Sequence, residues 1–129
     1  MLTLVLILGC LLGLIHIVTA IQLETKVRGP KWNAGPRDEP ATDLPNVVGR
    51  LRRAQANYLE TFPFFAALLL ACIIAQTDDW RVVAGGWTYL IARAIYLPLY
   101  AMGIPTLRTL VWIVSIVGIA LIGWAAALP

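Results

Sequence analysis

Apolar residues fall in four long runs, parted by polar breaks of unequal length. The first covers residues 2–23 and is interrupted only by Thr3, His16, Thr19 and Gln22. The second is mainly apolar from Tyr58 to Ala75, but its helical pattern starts near Asn46, which predicts a helix over 46–75. The third runs from Val82 to Met102 with one internal charge, Arg93, and Asp78 or Asp79 stands ready to cap a helix over 80–102. The fourth, Leu110 to Leu128, has no charge, and Pro105 suits the first turn of a helix over 106–128. Crossing a bilayer takes about 20 residues, so each run is long enough to span.

The breaks order these spans. Residues from Glu24 to about Pro45 hold Gly29, Pro30, Gly35, Pro36, Pro40 and Pro45 among mixed charges, and predict an irregular, solvated loop. The other two, Gln76–Trp80 and Gly103–Thr106, are short, so spans two, three and four are expected as antiparallel neighbours. Lys26, Arg28, Lys31, Arg37, Arg50, Arg52 and Arg53 crowd the first break and the start of span two, and Arg108 follows the third break. The second break carries only Arg81, beside two aspartates. The positive-inside rule then places breaks one and three in the cytoplasm and both termini outside. Val18-Thr19-Ala20 has the small residues of a signal cleavage site. No basic n-region precedes it and the apolar run exceeds an h-region, so a retained span is the expectation.

Composition agrees with this arrangement and narrows it. Of 129 residues, 60% are hydrophobic and only 13% charged, against roughly 25% charged in soluble domains. Too little charge is present to cover a water-facing surface, so lipid must cover much of it. The result is an all-α integral membrane four-helix bundle in one domain, residues 1–129. Four helices leave little interior for a polar site, which favours oligomerisation. The net charge of +3 comes from arginines beside apolar spans, with no basic groove or recognition motif, so nucleic acid is not an expected partner. Cys10 and Cys72 both lie inside apolar runs and read as packing residues. His16 reads as a hydrogen-bonded helix contact. It has no partner at ligand spacing, and no metal site is expected. Gly85-Gly86 and Gly118 with Gly123 suit close helix packing, and Trp80, Trp87, Trp112 and Trp124 suit the interface or the lipid.

The remaining polar residues repeat at helical spacing. Arg50, Arg53, Asn57, Glu60 and Phe64 share one face of span two. Glu60 lies about 10 Å along the axis from Arg53 at 1.5 Å per residue, a depth at which an ionised residue is costly and is a functional candidate. Tyr89, Arg93, Tyr96 and Tyr100 form a stripe on span three, whose end returns to the same side of the membrane. Pro98 within it is expected to kink that helix and free a carbonyl. Arginines, one carboxylate, an amide and tyrosine hydroxyls together suit a zwitterionic, net-anionic small molecule with peptide-like groups. The same spacing also fits an Arg53–Glu60 pair acting as interhelical glue.

The stretch Arg52-Arg53-Ala54-Gln55-Ala56-Asn57-Tyr58-Leu59-Glu60-Thr61-Phe62-Pro63 resembles the helix-two signature of the MAPEG family, membrane-associated proteins in eicosanoid and glutathione metabolism. Arg93-x-x-Tyr96-x-x-x-Tyr100 is similar to that family's helix-three motif, and the resemblance covers nearly the whole chain. It implies a homotrimer with glutathione as co-substrate between protomers, touching Arg53, Asn57, Glu60, Arg93, Tyr96 and Tyr100, with Gln55 nearby. It further implies a glutathione-dependent transferase or peroxidase acting on lipophilic electrophiles that arrive from the bilayer. A non-catalytic lipid-binding or scaffold protein on the same fold is the alternative. One position departs from the pattern. Family members that activate the thiol through an arginine carry it seven residues after the second tyrosine, which here is Leu107, and the arginine comes one step later as Arg108. Arg108 and Tyr100 are therefore the candidate activators. The short connections and compact chain point to a bacterial inner membrane rather than the endoplasmic reticulum.

Overall fold

A computed structural model describes residues 1–40 and 43–128. Five helices account for the architecture: α1 (Leu2–Arg28), the short α2 (Pro30–Ala34), α3 (Asn46–Ile74), α4 (Trp80–Met102) and α5 (Pro105–Ala127). Among the described residues there is no strand. Four of the helices, all but α2, are long and apolar enough to cross a membrane, and they coincide with the four apolar runs.

The largest departure from the sequence reading is at the start of the first loop. The helix α1 continues five residues past the predicted end, through Glu24, and the supposedly irregular segment contains α2. The cause is electrostatic. Glu24 is only 7% exposed, and its carboxylate lies 2.5 Å from Arg52 Nη2 of α3 and 3.6 Å from Arg28 one turn on. With its charge matched on two sides, Glu24 continues the helix instead of ending it. Gly29, at φ 92°, ends α1, and Pro30 starts α2 at a position where its missing N–H costs nothing.

The other three helices form an antiparallel stack, and their paired contacts give the register. Arg50 Nη1 donates to the Ala101 carbonyl at 3.3 Å, Arg93 Nη1 donates to Asn57 Oδ1 at 2.9 Å, and the Tyr89 hydroxyl is 3.2 Å from Thr61 Oγ1. Each step into α3 from its start is thus matched by a step back along α4. Asp79 caps α4 by accepting from the Arg81 N–H at 2.7 Å. Gly103, at φ 76°, closes the same helix in the left-handed conformation that glycine adopts without strain. Pro98 sits inside a continuous α4, where it has no N–H to give the Ala94 carbonyl.

Packing is tightest away from the basic end. Val5, Phe65, Leu69, Cys72, Val82, Tyr89, Ile122 and Ala125 form one buried cluster, drawn from the start of α1 and α4 and the end of α3 and α5. Beside it α4 and α5 cross at two glycines. A Cβ on Gly85 would come within 2.6 Å of the Gly118 carbonyl, and one on Gly118 within 2.8 Å of the Gly85 carbonyl. No larger residue fits while the backbones stay this close. Outside, Leu4, Ile7, Leu11, Leu14 and Val18 of α1 and Leu110, Ile113, Val114 and Val117 of α5 are exposed. Such an apolar exterior is what lipid solvates.

Candidate functional site

Three helices bring polar side chains together at the basic end. The opening turns of α3, the closing turns of α4 and the first turns of α5 meet there because the helices alternate in direction. Asn57, Tyr96, Tyr100 and Arg108 line one cavity of about 200 Å³, joined by Thr109 and Trp112. The Arg108 guanidinium lies over the Tyr100 ring, 4.5 Å from its centroid, and the Tyr96 and Tyr100 rings meet edge to face at 5.4 Å. The hydroxyls, the amide and the guanidinium together make a wall rich in hydrogen-bond donors, suited to a ligand with carboxylate or other anionic groups.

The shift of one residue from Leu107 to Arg108 has a geometric reading. The chain leaves α4 through the left-handed Gly103 and enters α5 at Pro105. With α5 started there, Leu107 is 47% exposed, whereas Arg108 lines the cavity.

The other predicted residues are placed differently from one another. Arg93 is completely buried. It lies behind Asn57, to which it donates a hydrogen bond, with its Cζ 4.5 Å from the Tyr96 ring centroid and 5.3 Å from that of Tyr58. Arg53 is exposed and stands 5.9 Å from the Tyr100 ring centroid. Glu60, also exposed, makes no ion pair among the described residues, so no Arg53–Glu60 pair forms within the chain. Gln55 lies three residues before Tyr58, on the side of α3 that packs on α1, and its Oε1 is buried without a partner. Arg50 reaches the end of α4, where it hydrogen-bonds the Ala101 carbonyl, and does not line the cavity. Tyr89 stacks on Phe65 at 4.0 Å within the core.

Sequence reasoning missed Thr109 and Trp112. A tryptophan near a helix end reads as a lipid anchor, but Trp112 stands one turn after Arg108 and therefore on the same side of α5. That spacing was the available signal. Trp80, at 72% exposed, and the exposed Trp124 do face outward. His16 Nδ1 of α1 donates to the Leu12 carbonyl, 2.9 Å away, and the ring lies tilted against Tyr58 with centroids 4.4 Å apart. The Tyr58 hydroxyl donates to the Gly9 carbonyl at 2.6 Å. Gly9 and Gly13 leave room for this ring, since a Cβ on Gly13 would approach it to 3.0 Å.

Fold and site together define a multi-pass integral membrane helix bundle with a donor-lined polar cavity at one end. The model for the MAPEG family matches residues 1–128, essentially the whole chain, and the protein belongs to that family. No curated protein matches it.

Proposed function

We propose that the protein binds glutathione at the basic end and uses its thiol against lipophilic electrophiles, as a membrane transferase or peroxidase. The observation that carries this reading is the convergence of Asn57, Tyr96, Tyr100 and Arg108 on one cavity. Family membership supports the choice of ligand. Glutathione offers two carboxylates, an ammonium and peptide groups, and the cavity offers donors for the carboxylates. The nucleophile is the thiolate, and a free thiol has a pKa near 8.5. Lowering it by about two units takes roughly 2.7 kcal/mol of preferential anion stabilisation. Arg108, whose guanidinium stands over the Tyr100 ring, is the group for that task, with the Tyr100 hydroxyl beside it.

A homotrimer completes the proposal. Arg53 and Glu60 are exposed on α3, at a depth where lipid would have to solvate charge. A neighbouring protomer covering this face removes that cost and places both residues beside the cavity of a shared site, Glu60 toward the ligand's ammonium. With the basic end in the cytoplasm by the positive-inside rule, both termini are outside. Glutathione enters from the cytosol and the electrophile from the bilayer.

The test is direct. Purified protein should bind glutathione stoichiometrically and raise its ultraviolet thiolate absorbance near neutral pH. Binding without a thiolate signal favours the scaffold alternative, and no binding at all ends the glutathione reading.

A further inference from the structure

Arg93 is the largest fully buried side chain among the described residues. No carboxylate lies within ion-pairing distance of it among the described residues. Its charge is met instead by the faces of Tyr96 and Tyr58, at 4.5 and 5.3 Å. His16, its ring tilted against that of Tyr58 with centroids 4.4 Å apart, backs this arrangement from α1. Arg93 is absent from the lining of the cavity that Asn57 helps to form. A molecule filling that cavity reaches the guanidinium only by displacing a ring or Asn57.

The single hydrogen bond of Arg93 among the described residues decides the orientation of its neighbour. A guanidinium has donors and no acceptor, so the Asn57 atom 2.9 Å from Nη1 is the amide oxygen. With the oxygen held there, the amine is the end of the amide left to the cavity. Reversing it would place two donors against each other and an oxygen against an incoming carboxylate.

We propose that Arg93 is a positioning residue that touches no ligand: it fixes the Asn57 amide so that Nδ2 donates to a ligand carboxylate. The proposal rests on the glutathione reading for the identity of that carboxylate. It departs from the resemblance, which put Arg93 in contact with glutathione.

The test is a double-mutant cycle on the full chain in detergent. Glutathione affinity is measured calorimetrically for the wild type, Arg93→Gln, Asn57→Ala and the pair. The side-chain amide resonances of Asn57, assigned by their loss in Asn57→Ala, are followed without ligand. Each single substitution should weaken binding about tenfold or more, and the double variant should bind within about twofold of Asn57→Ala alone, since hydrogen bonds to charged groups contribute on this scale. Arg93→Gln should also shift the Asn57 amide pair in the free protein. Full additivity overturns the proposal, because Arg93 then acts on the ligand by itself. Unmoved Asn57 resonances overturn it as well. If the wild type binds no glutathione, the functional reading falls, while the resonance shift still decides whether Arg93 orients Asn57. Should Arg93→Gln fail to fold, Arg93→Lys, which keeps the cation and loses the planar fork, takes its place in the same cycle.

Discussion

Arg81 and Arg93 stand about 18 Å apart along α4 at 1.5 Å per residue, and the two ends of the bundle treat them in opposite ways. Arg81 is well paired: it donates twice to Asp79, at 2.8 and 2.5 Å, and once to the Leu128 carbonyl, at 2.8 Å. Its guanidinium also covers the Trp124 ring at 4.9 Å. Among the described residues Arg93 makes one hydrogen bond and leaves Nε and Nη2 without partners, although it is far more deeply buried. The glycine seam and the main hydrophobic cluster lie at the Arg81 end, and the cavity lies at the other. One end is packed and satisfied; the other is open, with donors held in reserve. Close packing and the open cavity are thereby separated along the membrane normal, and substitutions at the two ends should fail in different assays.

The largest effect belongs to the packed end. Gly85→Val puts a Cβ and two methyls where the Gly118 carbonyl lies 2.6 Å from the first of those atoms. Both atoms are held by helix backbone, so the seam must open. Overpacking costs about 1–3 kcal/mol and sometimes more, and the upper part of that range is expected here. The detergent-solubilised variant should lose its monodisperse peak or melt well below the wild type. An unchanged melting temperature would show that α4 and α5 do not pack through these glycines.

At the open end the expected loss is in chemistry alone. Arg108 lines the cavity and makes no side-chain hydrogen bond or ion pair among the described residues, so Arg108→Ala should change stability by no more than about 0.5 kcal/mol. Bound glutathione should then fall back to the thiolate fraction of a free thiol, roughly 3% at pH 7. Thiolate absorbance and thermal melting measured together decide the matter. Retained absorbance would transfer the role to Tyr100, and a large fall in melting temperature would make Arg108 a structural residue.

Glu24→Gln probes the boundary between the two behaviours. The residue belongs to the basic end, yet its carboxylate is used as Arg81 is, in pairs with Arg52 and Arg28. Because Arg52 keeps 38% of its side chain exposed, the loss is set at about 1 kcal/mol, the range of a half-solvated charged hydrogen bond. Thiolate formation should be unaffected. A parallel loss of glutathione affinity would place the end of α1 within the site.

These residues also show what a sequence can carry. Four apolar runs of spanning length gave four helices, because hydropathy and length follow directly from residue type. The end of α1 did not follow, because Glu24 reads as a stop until Arg52, far along the chain, is known to neutralise it. Periodicity, joined for Arg108 by the family resemblance, placed Asn57, Tyr96, Tyr100 and Arg108 near one another, and they do share a cavity. It could not separate the residues lining that cavity from those behind it: Arg93 and Tyr89 lie on the predicted stripe, one supporting Asn57 and the other stacked in the core. Helical spacing fixes a direction from the axis, while a long side chain chooses its own reach, as Arg50 does in turning to Ala101. Trp112 was hidden by its residue type rather than by its position.

The smallest effect is expected at the Arg81 end, where it depends on pH. The Arg81 side chain, and after it the Arg81 backbone N–H, hold the Asp79 carboxylate below the usual range. A carboxylate whose folded value is depressed stabilises the fold above its ordinary value and loses that contribution as pH falls through the lowered one. Asn is a good helix cap, so Asp79→Asn keeps the start of α4 and removes only the charge. The variant should therefore melt slightly below the wild type at neutral pH, and the gap should close as the buffer is taken below the folded value of the carboxylate. Parallel melting curves from neutral to acid pH would mean that the charge of Asp79 contributes nothing. The contrast with Arg93 would then have to rest on hydrogen bonding alone, since Arg81 would be held by geometry without being stabilised by its ion pair.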